Sequence, residues 1–183
     1  MLVTKSLNWL SYRSKYRLMV GIEYLYILKL LAALGCGLIA GVFFAFSTFV
    51  MNALAQQPPA QGIAAMQSIN ITVINPWFMT AFLGTGLVCL ILIVSSLLRW
   101  QQLGTAYLLV SALFYLIGCF GVTMVFNVPL NDALAATSPN SLEGANLWAR
   151  YLTNWTFWNH VRAIAAFIAA ALFTMALNAP SKL

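Results

Sequence analysis

The chain contains a single histidine, His160, the one side chain whose ordinary titration suits proton transfer near neutral pH. It sits in the run Trp158-Asn159-His160-Val161-Arg162, so an imidazole, an amide and a guanidinium share little more than one helical turn. Ionisable groups on membrane helices are costly and usually face a cavity or a partner, which opens a catalytic or ligand-binding role to His160. On an ideal helix Trp148, Tyr151, Trp155, Asn159 and Arg162 fall within about 80° of one another, a stripe both aromatic and polar. His160 lies about 100° from Asn159, so both border one cavity only if the helix faces it broadly. Asn52, Asn70, Asn75, Thr123, Asn127, Asn131 and Asp132 fall near the same ends of the apolar runs and would converge on this stripe in a compact bundle.

Each of these residues also has a structural reading. Trp and Tyr belong to interfacial belts, Arg162 could snorkel to phosphate, and Asn127 and Asn131 could cap helix ends beside Pro129. One histidine without paired carboxylates or cysteines at ligand spacing cannot fill a zinc, copper or di-iron site. Cys36, Cys89 and Cys119 lie inside apolar runs without a CxxC spacing and read as small core residues. No Gly-rich phosphate loop, GxSxG elbow or Ser-His-Asp set is present.

The elements that must position these groups follow from composition. Of 183 residues 62% are hydrophobic and 7% charged, which excludes a water-soluble globule and points to an all-α, four-transmembrane-helix bundle with short extracytoplasmic helices. The net charge of +6 has no basic patch with interleaved aromatics and is not a nucleic-acid signature. Spans are expected near 28–51, 77–98, 104–127 and 157–178 in one membrane domain, 27–179, preceded by a basic aromatic arm, 1–26, that forms an interfacial helix or a mobile extension. Lys5, Arg13, Lys15, Arg17, Lys29, Arg99 and Lys182 place both termini in the cytoplasm of a plasma (inner) membrane protein. The loops 52–76 and 128–156 then lie on the far side.

Asn75-Pro76-Trp77 is an N-cap, a first-turn proline and an interfacial indole opening the second span. Pro129 should end the third. Asn140 with Glu143 resembles a capping box that opens a helix running into the fourth span. Pro58-Pro59 precedes a short amphipathic helix carrying Ile63, Met66, Ile69 and Val73 on one side. Ala33, Gly37, Gly41 and Ala45 recur every four residues, a smooth ridge for close helix approach or, alternatively, a groove for a flat ligand.

The stretches GLIAGVFFAFSTFVMNAL (37–54), AAMQSIN (64–70), NPWF (75–78), NVPLND (127–132) and WARYLTNWTFWNHVR (148–162) resemble the anthrone oxygenase-like family of small four-helix membrane proteins. The resemblance covers roughly residues 30 to 178, and its Asn-Val-Pro-Leu-Asn and Trp-Asn-His-x-Arg runs are distinctive. It implies oxidation of a tricyclic polyketide anthrone to a quinone by O2 without metal or flavin. On that expectation His160 is the base, Asn159 and Arg162 stabilise the enolate, Asn127 and Asn131 orient ring oxygens, and Tyr151 and Trp155 stack on a planar aromatic substrate. A homo-oligomer is compatible with this reading. The competing function is a noncatalytic membrane protein that binds an apolar small molecule or a partner subunit, its polar groups merely tying helix ends together.

Overall fold

The computed structural model describes residues 2–98, 100 and 104–178, with side chains described from residue 23 onward. Helix α1, Leu2–Ala45, continues through a π-helical turn at Phe46–Val50 into α2, Met51–Ala55. A surface helix α3, Pro59–Thr72, precedes α4, Pro76–Leu98. Helix α5, Thr105–Leu113, passes through π-helical segments Phe114–Gly121 and Thr123–Asn127 into α6, Val128–Ala135, and α7 runs unbroken over Leu142–Leu177. Four segments are long and apolar enough to cross a bilayer: Glu23–Ala55, Pro76–Leu98, Thr105–Ala135 and Leu142–Leu177. Their outer faces carry exposed Leu38, Phe44, Leu87, Val94, Ile117, Ile164 and Phe167, which only a lipid environment accommodates on such a scale. The protein is an all-helical integral membrane protein.

The expected boundaries hold at α4, where Asn75 Oδ1 accepts from the amides of Trp77 and Phe78 at 3.1 Å each. At α7 the cap is Ser141 rather than Asn140, its hydroxyl accepting from Gly144 N at 2.9 Å. Pro129 does not end the third span. The chain stays helical to Ala135, because the preceding turn has already widened: Val128 N bonds to Thr123 O, five residues back, which makes room for a ring that would clash with an α-helical carbonyl. The expected arm, apart from residues 23–26, and Arg99 and Lys182 of the orientation argument lie outside the residues whose side chains are described. Lys29 is described, and its Nζ donates to Ala176 O at 3.1 Å, a cation on the C-terminal carbonyls of the antiparallel α7.

Helix α7 is the spine. It packs along α1 and against α5 and its π continuation within the membrane, and against α3 and α6 above it, while α4 closes the bundle against α1 and α5. Two apolar clusters result. One fills the bundle with Cys36, Ile39, Phe43, Phe82, Cys89, Leu92, Tyr115, Cys119 and Phe173; the other lies over its far end and joins Met51, Ile63, Met66, Leu134, Trp148, Tyr151 and Trp155. The buried polar side chains of α7, Asn159 and Arg162, fall along the helix where one cluster gives way to the other.

The ridge Ala33-Gly37-Gly41-Ala45 does not serve the internal packing expected of it. Ala33 is buried, but a methyl group added at Gly37 or Gly41 would meet nothing within 4 Å. The inward face of α1 is instead Ala32, Cys36, Ile39 and Phe43, continued by Ser47 in the π turn. Close approach depends on Gly35, against the Thr85 side chain, and on Gly118, where an added Cβ would lie 2.6 Å from Ala165 Cβ. Gly118→Ala should therefore cost about 1–3 kcal/mol and lower the thermal midpoint in detergent, with Gly37→Ala changing it little. The reverse ranking would return the packing role to the ridge.

Candidate functional site

The site begins with Asn159, wholly buried on α7. Its Nδ2 donates to Phe43 O at 2.7 Å and to Ser47 Oγ at 2.6 Å, and its Oδ1 accepts from Arg162 Nη2 at 2.6 Å. A carbonyl can only accept and a guanidinium can only donate, so the amide has one possible orientation. Arg162, 4% exposed, also donates from Nη1 to Thr123 Oγ1 at 3.3 Å, and Thr123 donates in turn to Cys119 O at 2.8 Å. The rings of Phe43 and Trp155 lie 4.1 and 5.0 Å from Arg162 Cζ, close enough for cation–π attraction in a desolvated setting.

Two π turns supply this geometry. Met51 N bonds to Phe46 O across the turn in the first span, as Val128 N does to Thr123 O in the third. Where an α-helix widens in this way a nearby carbonyl loses its regular partner and can take a side-chain donor. Phe43 O, just before the first widening, takes Asn159. Asn127 closes the second turn, is 1% exposed, and donates from Nδ2 to Trp155 O at 3.1 Å.

Above this layer Trp148, Tyr151 and Trp155 form a stacked column, with centroid separations of 5.6 and 6.0 Å and interplanar angles of 16° and 18°. Phe46 tilts against Trp155 at 5.9 Å. Asn131 Oδ1 accepts from both Tyr151 Oη and Trp155 Nε1 at 2.8 Å, which fixes both rings. Helix α3 covers the column: an added Cβ on Gly62 would stand 2.8 Å from the Trp148 ring, so only a glycine permits this approach. Gln67 holds α3 in place by donating to Leu134 O at 2.8 Å and Thr137 O at 3.0 Å.

Asn159, Arg162, Asn127, Asn131, Tyr151 and Trp155 are thus brought together, and His160 is not. It is exposed, on a face shared with exposed Phe157, Ile164 and Phe167. Two residues on an ideal helix separate it from Arg162 by about 160°, and the buried face of α7 is too narrow to include both. The expectation that His160 shares a niche with Asn159 and Arg162 is corrected accordingly. The Asn159 amide bonds to Phe43 O, Ser47 and Arg162, which places it to hold the guanidinium. Tyr151 and Trp155 are buried and stack on each other, with Trp148 against Tyr151 and Phe46 against Trp155. Sequence reasoning passed over Phe43 and Ser47. Ser47 carried a signal, as the one polar residue continuing the helical stripe of Ala32, Cys36, Ile39 and Phe43.

Two buried polar atoms of this layer have no hydrogen-bond partner: Arg162 Nε and Asn127 Oδ1. The partners of the guanidinium are an amide, a hydroxyl and two ring faces, and no carboxylate of a described residue joins them. Among the described residues no group of three or more His, Cys, Asp or Glu side chains is placed to hold a metal ion.

A family model described as anthrone oxygenase matches residues 78–172, a stretch that includes every candidate residue of α6 and α7 and both Thr123 and Asn127. No curated protein and no solved structure matches the chain.

Because Asn159 joins two spans and orients the cation, Asn159→Leu should cost about 2–3 kcal/mol through the donors and acceptors it strands. Ser47→Ala, which removes one acceptor beside a remaining carbonyl, should cost about 1 kcal/mol. Unfolding in detergent micelles measures both, and equal small effects would show that the network adds nothing to stability.

Proposed function

The chain belongs to the anthrone oxygenase family, and on that premise we propose that it is a membrane-embedded oxygenase that converts an anthrone-like tricyclic polyketide to the quinone with O2, using neither metal nor flavin. The observation that supports this most is the buried Arg162, whose partners are all neutral and whose Nε–H is unused. A buried cation without a counter-anion is expensive. It is also the feature a site needs if its ligand becomes an anion during reaction.

The substrate carries the electronic lability. Loss of one proton from its activated methylene gives an enolate whose charge rests on the ring oxygen, and Arg162 stabilises that oxygen in a medium of low dielectric. The proton leaves to water at the far-side mouth, since His160 faces away. The enolate passes one electron to O2. Recombination of the ring radical with superoxide at the former methylene carbon, with uptake of a proton, gives a hydroperoxide. Loss of water from it leaves the quinone: one O2 is consumed, one water is released, and the carbon gains a carbonyl.

Asn159 and Thr123 hold the guanidinium, Asn127 meets the substrate edge, and the aromatic column with Asn131 forms a water-poor wall. We place the protein in the plasma membrane with both termini cytoplasmic. The noncatalytic reading draws on the saturation of Asn131 by Tyr151 and Trp155, which ties α6 to α7 with or without a ligand.

Oxygen uptake with an anthrone, measured on purified protein in detergent, separates these readings. Catalysis raises uptake above the spontaneous rate, and a binding protein leaves it unchanged. Arg162→Met should lower kcat/KM by about 10²–10³-fold, with His160→Gln staying within about threefold of the parent. A folded Arg162→Met variant of full activity removes the anion-stabilising assignment, and a large loss in His160→Gln returns the base role to the imidazole.

A further inference from the structure

We infer that Asn127 is a specificity-determining residue, an acceptor that reads a hydroxyl donor on the ring system whose oxygen Arg162 holds; this rests on the reading of the site given above. Asn127 lies one helical turn beyond Thr123, which bonds to Arg162, and it donates to the backbone of Trp155, whose ring lies 5.0 Å from Arg162 Cζ. The two unpartnered atoms, Arg162 Nε and Asn127 Oδ1, therefore belong to one layer.

Their chemistry differs in sign. Arg162 Nε–H is a donor attached to a positive charge and calls for an acceptor of negative charge. Asn127 presents an oxygen. That end cannot be exchanged for the amide nitrogen, because the other end of the amide faces the Trp155 carbonyl, which only accepts. Reversal would bring two oxygens together and leave a second group unsatisfied. A ligand that satisfies both atoms presents an anionic oxygen to Arg162 and, elsewhere on the same rigid frame, an O–H or N–H to Asn127. On a tricyclic ketone the donor is a ring hydroxyl.

Asn131 does not share this role, since its oxygen already accepts two hydrogen bonds. A site built around an unsatisfied buried acceptor discriminates strongly against a ligand of equal size that lacks the donor, because that ligand leaves the acceptor dry and unpaired. The resulting preference differs from one set by shape alone.

The test uses full-length protein in detergent and anthrones hydroxylated at a lateral ring carbon (2- or 3-hydroxyanthrone), each against its methyl counterpart of similar size. A lateral hydroxyl avoids the internal hydrogen bond that one beside the carbonyl would make. At least one hydroxylated substrate should exceed its methyl counterpart in kcat/KM by about 10- to 100-fold, and the ratio should collapse to within about threefold in Asn127→Leu. Asn127→Ala is the second variant if the leucine does not fold. The common quinone products of these pairs, 2-hydroxyanthraquinone and 2-methylanthraquinone, titrated by quenching of tryptophan fluorescence, give a binding ratio that does not depend on turnover.

Equal turnover of both members of every pair overturns the inference and leaves the oxygenase reading standing. Tighter binding of the hydroxylated quinone that is lost in the Asn127 variants, without any turnover, supports the inference and removes the oxygenase reading. A hydroxyl preference that persists in folded Asn127 variants also overturns it.

Discussion

A guanidinium in the interior of a membrane protein must be surrounded by groups that replace water, and the arrangement of this bundle follows from meeting that demand at Arg162. Its neighbours come from three of the four spans: Phe43 by its ring, Thr123 by its hydroxyl, and Asn159 and Trp155 from its own helix. None is acidic. The cost of burial is offset by hydrogen bonds, ring faces and a location where the spans meet their covering helices, so the cation stays uncompensated in charge while two of its three nitrogens are hydrogen-bonded. Asn159 is the joint of this arrangement, because the same amide that orients Arg162 bonds to the backbone of α1.

The apolar clusters on either side have separate tasks. The membrane cluster sets the helix spacing through small side chains on α7, such as Ala163, Ala166, Ala169 and Ala176. The outer cluster keeps the stacked column of Trp148, Tyr151 and Trp155 covered by α3. Since α7 contributes to both as one continuous helix of 36 residues, about 54 Å long, the polar layer is held at a fixed height and rotation relative to each.

Much of this was legible in the sequence for a physical reason. Charge-free apolar runs report a bilayer directly, and a stripe that keeps the helical period reports a buried face whatever the residue types, so Trp148, Tyr151, Trp155, Asn159 and Arg162 could be grouped before any coordinates. His160 was misplaced because rarity and titration range were weighed above angular position, although its angle to Arg162 was available from the period alone. Pro129 was misread for a different reason. A proline ends an α-helix only where the preceding carbonyls hold α geometry, and nothing in the residue pattern announced the widened turn at Thr123–Asn127. The glycines of α1 show a third limit: spacing identifies a smooth surface, but not whether that surface faces inward or outward.

The π turns also have a consequence for how the chain can vary. Each holds one residue more than an α-helical turn, and because the turn widens to absorb it, the segments on either side keep the faces of an α-helix one residue shorter. Deleting a single residue from Phe46–Val50 or Thr123–Asn127 would let the turn close to α geometry with both flanks still in register. The loss would be local: the first closure would return Phe43 O to a backbone donor at the expense of Asn159, and the second would set the Pro129 ring against an α-helical carbonyl.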